Sequence, residues 1–143
     1  MLFRSMTFRV LHGAQRIAEY VAVWHKAVFK RVRPSRIDPY LRPPFGPPGH
    51  AAFPSGHATA GWLIQLCLNE VVNTKRPEAT AALSALGRRV GRLREIAGFH
   101  YPSDSVAGRQ LAQRCFDWLI AKKQNKPVCP EFSRLVAAAK AEW

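Results

Sequence analysis

Residues 55–72 of the chain read SGHATAGWLIQLCLNEVV, and the rest of the sequence has to be arranged around them. Ser55 is a residue type favoured at the start of a helix. The early part of the stretch is apolar on nearly every side of a helical wheel, so a helix formed by it needs neighbours all around. The sequence therefore predicts a central, buried helix from Ser55 to about Val72.

Apolar residues recur at three- and four-residue spacing on both sides of this stretch, whereas strand signals are weak. The 143 residues are enough for one hydrophobic core, so we predict a single domain over residues 1–143. The fold class is all-α, a bundle of about five helices. The four outer helices are expected from about Thr7 to Val32, Pro77 to Ala97, Ser103 to Lys123 and Glu131 to Glu142.

Two details of these outer helices can be tested. Pro77 and Ser103 are expected near the first positions of their helices. The core-facing stripes are predicted as Val10, Ala14, Ile17, Val21 and Val28 in the first helix, and Leu83, Leu86, Val90, Leu93 and Ala97 in the third.

The segment from Pro34 to Pro54 contains seven prolines together with Gly46 and Gly49. Pro34 is expected to end the first helix, because the residue before a proline is disfavoured in the helical conformation. So many prolines make the segment too stiff for a flexible linker and unsuited to a strand. Long ordered loops in compact domains are commonly functional, and this loop is a candidate functional segment.

The chain is strongly basic, since 22 Lys and Arg against 9 Asp and Glu give a net charge of +13. Such a surplus attracts anions and leaves nucleic acid, anionic lipid headgroups and small phosphates as candidate partners. The three cysteines, Cys67, Cys115 and Cys129, lie far apart in the sequence. They are expected to be reduced thiols that form neither a disulfide framework nor a zinc site.

Neither a signal peptide nor a transmembrane segment is predicted. The N-terminal residues lack the uninterrupted apolar run of a leader. The best apolar window, residues 60–72, is interrupted by Gln65, Asn69 and Glu70. It is also shorter than the roughly 20 residues that a membrane span needs. We therefore expect a soluble, cytoplasmic protein.

Two groups of residues near the loop have the chemistry of an anion site. Lys26 and Arg33 are seven residues apart, close to two helical turns, so they would share a face at the end of the first helix. A solvated basic face explains this pair equally well. The central helix begins at Pro54-Ser55-Gly56-His57, and its first N–H groups are suited to bind an anion. Gly56 would allow the anion to approach the backbone closely.

A third group surrounds the turn between the third and fourth helices. Arg94 and Arg89 lie at opposite edges of the apolar stripe, so the spacing alone leaves both as candidates. His100 lies in the turn, and Asp104 follows at the start of the fourth helix. A carboxylate beside an imidazole fixes its tautomer and makes the other nitrogen a better nucleophile. Asp104 is equally suited to be a simple first-turn acid.

Together these residues supply what phosphoryl transfer requires, namely a nucleophile, an orienting carboxylate, a general acid and cations for the phosphate oxygens. The pattern Lys26-x6-Arg33-Pro34, Pro54-Ser55-Gly56-His57 and Arg94-x5-His100-x3-Asp104 resembles the three-part signature of the type-2 phosphatidic acid phosphatase and vanadium haloperoxidase superfamily. Leu93 stands where this family usually has Ser, and we attribute the difference to packing of Leu93 in the apolar stripe. Family members usually have a six-helix core, so we expect a shortened form that assembles as a homo-oligomer.

The resemblance implies a phosphatase that hydrolyses soluble phosphomonoesters or pyrophosphates through a phosphohistidine intermediate. In this scheme His100 is the nucleophile, Asp104 orients it, and His57 is the general acid and then the base. The phosphate oxygens would be bound by Lys26, Arg33 and Arg94 together with the backbone of Ser55 and Gly56. No metal and no cofactor are expected, because three fixed cations neutralise the developing charge.

Two rival functions remain open. In a vanadium haloperoxidase, vanadate would occupy the same pocket bonded to His100, and His50 supports this because some bromide-oxidising members carry histidine at that position, seven residues before His57. The other rival is a basic, non-catalytic protein that binds nucleic acid or another anion. Its aromatic residues are not interleaved with the basic ones, as a base-stacking surface would require. We therefore expect a small phosphorylated substrate rather than nucleic acid.

Overall fold

The computed structural model of the protein describes residues 4–72 and 76–143, and residues 1–3 and 73–75 lie outside the described part. The elements are α1 (Ser5–Phe29), α2 (Pro34–Ile37), α3 (Gly56–Val72), α4 (Ala79–Ile96), α5 (Pro102–Ile120), β1 (Lys122–Lys123), β2 (Lys126–Pro127) and α6 (Pro130–Lys140). The predicted all-α bundle is confirmed, since the described residues form five helices of eleven residues or more and one short helix of four residues. None of the helices in these ranges has the length and apolar character needed to cross a membrane.

The α3 helix lies at the centre, as predicted, and packs against α1, α4, α5 and α6. Its side chains Leu63, Cys67 and Val71 are fully buried. Burial raises the pKa of the Cys67 thiol to about 12, which makes it an inert core residue. All three cysteines are free. The rest of the core comes from the facing helices: Val10, Ala14, Ala18, Ala112, Leu119, Val136 and Ala139.

The first helix ends earlier than predicted. Lys30 adopts the left-handed conformation with φ of 49° and its N–H donates to the C=O of Lys26, so α1 ends at Phe29 rather than near Val32. Pro34 does not mark the end of this helix. It begins α2, because its fixed φ suits the first helical position. Lys26 and Arg33 therefore do not share a helix face, and Val28 of the predicted stripe is exposed.

The buried face of α4 agrees with the prediction only in part, because Leu83 packs against the core whereas Leu86 and Leu93 are exposed. Its buried residues are Gly87 and Gly91. A Cβ on Gly91 would lie 3.2 Å from the Cβ of Ala58, so the missing side chain allows α4 to pack closely on α3. Leu93 is 50% exposed, so core packing does not explain why it replaces Ser. Arg94 follows Gly87 and Gly91 at helical spacing and therefore lies on the buried face.

Three boundaries of the later elements differ from prediction. α4 begins at Ala79 after Glu78, not at Pro77. The N-cap of α5 is Tyr101 rather than Ser103, because Pro102 takes the first helical position. α5 ends at Ile120, and Lys122–Lys123 pairs with Lys126–Pro127 in a small antiparallel hairpin. Its turn residues Gln124 and Asn125 both have positive φ, which is typical of a two-residue hairpin turn.

The outer face of α1 exposes large apolar side chains. Tyr20, Val23, Trp24 and Val28 are each more than half exposed. An apolar face of this kind is typical of an interaction surface. The homo-oligomer expected from the sequence stays a prediction.

Candidate active site

The turn that ends α4 positions His100. The N–H of Gly98 donates to the C=O of Glu95 at 2.9 Å, and the N–H of Phe99 donates to the C=O of Arg94 at 3.1 Å. This pair of bonds forms a Schellman motif, which needs a left-handed residue after the helix. Gly98 supplies it with φ of 72°. Phe99 is fully buried and anchors the turn, so His100 follows it into the interior of the protein.

The His100 ring lies between a carboxylate and a guanidinium. Its Nδ1 is 3.2 Å from Oδ2 of Asp104, and its Nε2 is 3.4 Å from Nη1 of Arg33. A guanidinium can only donate, so Nε2 accepts and the ring proton resides on Nδ1, which donates to Asp104. Burial lowers the pKa of His100 below its ordinary value, although the bond to Asp104 opposes this effect. The ring is therefore neutral at pH 7, and its Nε2 carries a lone pair rather than a proton.

Asp104 is fully buried at the start of α5. Its Oδ2 also accepts the backbone N–H of Tyr101 at 3.0 Å, so it is a first-turn acid as well as the partner of His100. Its Oδ1 accepts from Nη1 of Arg31 at 2.8 Å. Burial alone would raise the pKa of Asp104, but the hydrogen bonds from His100 and Tyr101 and the charge of Arg31 outweigh it. The pKa is lowered, and the carboxylate is ionised.

Lys26 lies in the last turn of α1 and is buried. Its Nζ donates to the C=O of Ala51 at 2.8 Å and to the C=O of Ala52 at 3.0 Å. These acceptors are neutral, so the charge of the ammonium group is held in place without being cancelled. Burial and, to a smaller extent, Arg33 lower the pKa of Lys26 to about 8, although Asp104 acts in the opposite direction.

Arg33, the residue that precedes α2, lies close to Lys26. Its Nε donates to the C=O of His50 at 3.1 Å, and its Nη1 donates to the C=O of Phe99 at 2.8 Å. Its Nη2 lies 3.1 Å from Nδ1 of His50. Burial and then the charge of Arg94 lower the pKa of Arg33 from its ordinary value. Loop carbonyls, rather than a shared helix face, bring Lys26 and Arg33 together.

Arg94 is held by aromatic rings. Its Cζ lies 4.0 Å from the ring centroid of Phe99 and 5.7 Å from that of Phe45. Its buried Nε makes no hydrogen bond within the described part of the chain. Burial lowers the pKa of Arg94. A guanidinium with an unpaired donor is suited to receive an anion. Arg89, the alternative that the helical wheel left open, is exposed to solvent.

The start of α3 brings in Gly56 and His57, which both line the cavity described below. N–H groups in the first turn of a helix have no acceptor within the helix, so they are available to an anion. His57 keeps access to solvent. Its ring is partly enclosed, and this burial, followed by the positive charges of Arg94 and of His100 when protonated, lowers the pKa of His57.

Ser55 was expected to bind phosphate through its backbone, but it does not line the cavity. Its side chain is fully buried, and its Oγ accepts the N–H of Ala58 at 3.3 Å, which agrees with the predicted helix cap. Its backbone N–H donates to the C=O of Asp104 at 3.0 Å and is therefore not free for a phosphate oxygen. Ser55 connects α3 to α5 behind the cavity.

One cavity of about 310 Å³ collects these groups. Six of the eight residues predicted for the site line this cavity. The other two do not, since Asp104 lies behind His100 and Ser55 lies behind Gly56. In residues 4–72 and 76–143 no group of three or more His, Cys, Asp or Glu side chains is placed to hold a metal ion. The lining includes Lys26, Arg33, Gly56, His57, Arg94 and His100, and also His50, Gln15 and Glu19.

The sequence motifs did not reveal several residues in the cavity wall and in the layer behind it. Gln15 and Glu19 precede Lys26 by eleven and seven residues, so helical spacing alone would have placed them on the same side of α1. Arg31 and Phe45 offered no such signal. Arg31 contacts Asp104, which is 73 residues away, and the loop residue Phe45 contacts Arg94 in α4. Both contacts depend on the tertiary fold.

An all-α bundle whose central helix begins at a basic, histidine-lined cavity has the chemistry expected of an oxyanion site. Sequence comparison identifies the family. The pattern of the PAP2 superfamily matches residues 10–126, a range that contains all the site residues described above. The chain belongs to the PAP2 superfamily.

Curated relatives of the chain are named as phosphatases. The chain is 31% identical to a non-specific acid phosphatase of Providencia stuartii over 94 residues, which are 66% of this chain and 34% of the relative. It is 40% identical to a non-specific acid phosphatase of Salmonella typhimurium over 62 residues, 43% of this chain and 23% of the relative. It is 34% identical to the decaprenylphosphoryl-5-phosphoribose phosphatase of Mycolicibacterium smegmatis over 92 residues, 64% of this chain and 47% of the relative. The chain thus spans less than half the length of each.

Proposed function

We propose that the protein is a phosphatase that hydrolyses small phosphomonoesters or pyrophosphates through a phosphohistidine on His100. The observation that carries the proposal is the hydrogen bond of 3.2 Å between Nδ1 of His100 and Oδ2 of Asp104, at a cavity lined by Lys26, Arg33 and Arg94. Membership of the PAP2 superfamily and the phosphatase names of its relatives support it.

In the first step the Nε2 lone pair of His100 attacks phosphorus, and the bond between phosphorus and the leaving oxygen breaks. The protonated form of His57, which becomes more abundant as the pH falls because the pKa of this residue is lowered, gives its proton to that oxygen, so the leaving group departs protonated. Asp104 stays ionised throughout and stabilises the positive charge that His100 acquires. In the second step His57 takes a proton from water, the hydroxide attacks phosphorus, and the bond from phosphorus to Nε2 breaks to release phosphate and regenerate His100.

The transferring phosphoryl group carries its charge on three oxygens, and the cavity offers cations for them. Lys26 and Arg33 are held by neutral carbonyls, and Arg94 has an unpaired donor, so all three keep charge available for an anion. The first-turn N–H groups at Gly56 and His57 add further donors. A dry, preorganised set of donors stabilises the transition state more than it would in water.

The test uses one purified sample with p-nitrophenyl phosphate and inorganic pyrophosphate as substrates. The His100→Ala variant should lose turnover and the phosphoenzyme trapped by alkaline quench, which preserves the phosphorus–nitrogen bond. The His12→Ala variant is the matched control, because His12 is exposed on α1 away from the cavity. Near-normal phosphatase activity in His100→Ala would refute the assigned chemistry, and an inactive wild type would refute the function.

A second candidate is a vanadium-dependent haloperoxidase, favoured by the position of His50. This residue lines the same cavity, and its Nδ1 lies 3.1 Å from Nη2 of Arg33. The donors that fit a phosphate also fit the tetrahedral vanadate ion, with His100 as its ligand. Vanadate would supply the chemistry of peroxide activation, while the chain would bind and orient the ion. Bromide oxidation by hydrogen peroxide, assayed with and without added vanadate, distinguishes this candidate from a phosphatase that vanadate only inhibits.

A further inference from the structure

Arg31 is the one charged side chain that contacts the carboxylate of Asp104 on the side away from His100 in the described structure. Its Nη1 donates to Oδ1 of Asp104 at 2.8 Å and to Oγ of Ser103 at 2.8 Å. Its Cζ lies 4.0 Å from the ring centroid of Tyr101. Contacts with Tyr101, Ser103 and Asp104 therefore fix the guanidinium against the start of α5.

The two oxygens of Asp104 have separate tasks. Oδ2 accepts from Nδ1 of His100 at 3.2 Å and from the backbone N–H of Tyr101 at 3.0 Å. Oδ1 receives its hydrogen bond from Arg31. With Arg31 in place the carboxylate has no exposed surface, so the guanidinium rather than water is the partner of Oδ1. Without Arg31, the carboxylate would be free to rotate away from the nucleophile to find other donors.

We propose that Arg31 is a positioning residue: it fixes the plane of the Asp104 carboxylate so that Oδ2 holds the Nδ1 proton of His100. This leaves Nε2 unprotonated and directed at the substrate. Arg31 does not line the cavity that holds His57 and His100, but it lines a neighbouring cavity with Lys26 and Arg33. We assign its effect to Asp104, with which it forms a direct hydrogen bond, rather than to the phosphate. The inference rests on the proposed function for its kinetic consequences, but the hydrogen-bond geometry exists without a substrate.

The central variant is Arg31→Met, which keeps much of the side-chain volume and removes the donors. We expect kcat to fall about 10- to 100-fold, because a buried charged group loses a hydrogen-bond partner. KM for p-nitrophenyl phosphate should change less than about threefold, since the phosphate-binding groups are untouched. Arg31→Lys keeps the charge but has no planar fork to hold Asp104 and Ser103 together, and it should recover part of the rate.

The matched control is Arg36→Met. Arg36 is an exposed cation in the neighbouring α2, and it makes no contact with Asp104. It tests whether loss of any nearby positive charge weakens attraction of an anionic substrate. We expect kcat of Arg36→Met to equal that of the wild type. If both variants lose the same factor in kcat/KM, the effect of Arg31 is general electrostatics and the proposal is wrong.

A double-mutant cycle separates positioning from a structural role. In an Asp104→Asn background, Arg31→Met should lower kcat by less than about twofold, because the carboxylate through which Arg31 acts has already been removed. Full additivity of the two losses would overturn the proposal. Circular dichroism and thermal unfolding establish that each variant is folded, and Arg31→Lys keeps the test valid should Arg31→Met unfold.

Nitrogen-15 NMR of the histidine rings needs no substrate and so separates this proposal from the proposed function. The chain has five histidines, and the spectrum of His100→Ala identifies the His100 signals. In the wild type we expect Nδ1 protonated and Nε2 unprotonated. In Arg31→Met the tautomers should mix. An unchanged His100 spectrum would overturn the positioning role even in an active phosphatase, whereas mixed tautomers in an inactive protein would leave it standing.

Discussion

Replacing Asp104 by Asn changes the donors and acceptors around His100 while keeping the shape of the side chain. Arg31 donates to the Oδ1 position, so this position must remain an acceptor. The amide NH₂ then takes the Oδ2 position, where it faces Nδ1 of His100 at 3.2 Å and can no longer accept the hydrogen bond of 3.0 Å from the N–H of Tyr101. Nδ1 has to become an acceptor, and the ring proton moves to Nε2, which is the nucleophilic atom.

The wrong tautomer should lower kcat for p-nitrophenyl phosphate by about 10³- to 10⁴-fold, or roughly 4–5.5 kcal/mol of transition-state stabilisation. KM should stay within about threefold, because Lys26, Arg33 and Arg94 are unchanged. Steady-state kinetics measure both values, and a quenched single turnover shows whether phosphoenzyme formation is the slow step. Asp117→Asn, an exposed site on the same helix, removes the same charge as a control. An Asp104→Asn protein within tenfold of the wild type would refute the tautomer argument.

The remaining predictions address the acid, the pH profile, packing and assembly. His57→Ala should slow hydrolysis of an alkyl phosphate by about 10² to 10⁴ but of p-nitrophenyl phosphate much less, since that leaving group needs no proton; equal losses would contradict its role. Above pH 8, deprotonation of Lys26 should lower kcat/KM, and a profile without an inflection near pH 8 would count against this. Gly108→Ala places a Cβ 2.7 Å from the backbone oxygen of Ser55, so it should lower the free energy of unfolding in urea by about 1–3 kcal/mol. The control Gly13→Ala, whose Cβ has no neighbour within 4 Å, should not lower it. Sedimentation should show a homo-oligomer that is weakened by Trp24→Glu, and a monomer at every concentration would oppose this.

The fold was predictable from the sequence where burial depends on local composition. α3 is apolar all round, and it lies at the centre of the bundle. The part of the α4 face at Gly87 and Gly91 was missed because the pattern counts apolar side chains, whereas close helix packing there depends on the lack of a side chain. The end of α1 was missed because Lys30 adopts the left-handed conformation, which is usual for Gly and Asn but not for Lys.

The site was predictable in its residue types more than in its connections. Motif spacing found six of the residues that line the cavity, because their identities follow from the chemistry that the cavity supports. It could not show that the N–H of Ser55 is occupied by the C=O of Asp104, or that Arg31 holds the carboxylate of Asp104. Both bonds join residues that are distant in the chain, and such pairs become neighbours only after the helices pack.

The proline-rich loop explains how the cavity keeps its positive charge. A proline has a C=O but no N–H, so the seven prolines between residues 34 and 54 leave this loop with more acceptors than donors. The carbonyls of His50, Ala51 and Ala52 fix Lys26 and Arg33 at distances of 2.8 to 3.1 Å. Carboxylates would hold the two cations as firmly, but they would cancel the charge that an anion needs. Neutral acceptors instead orient the cations and leave their charge available for the transferring phosphoryl group.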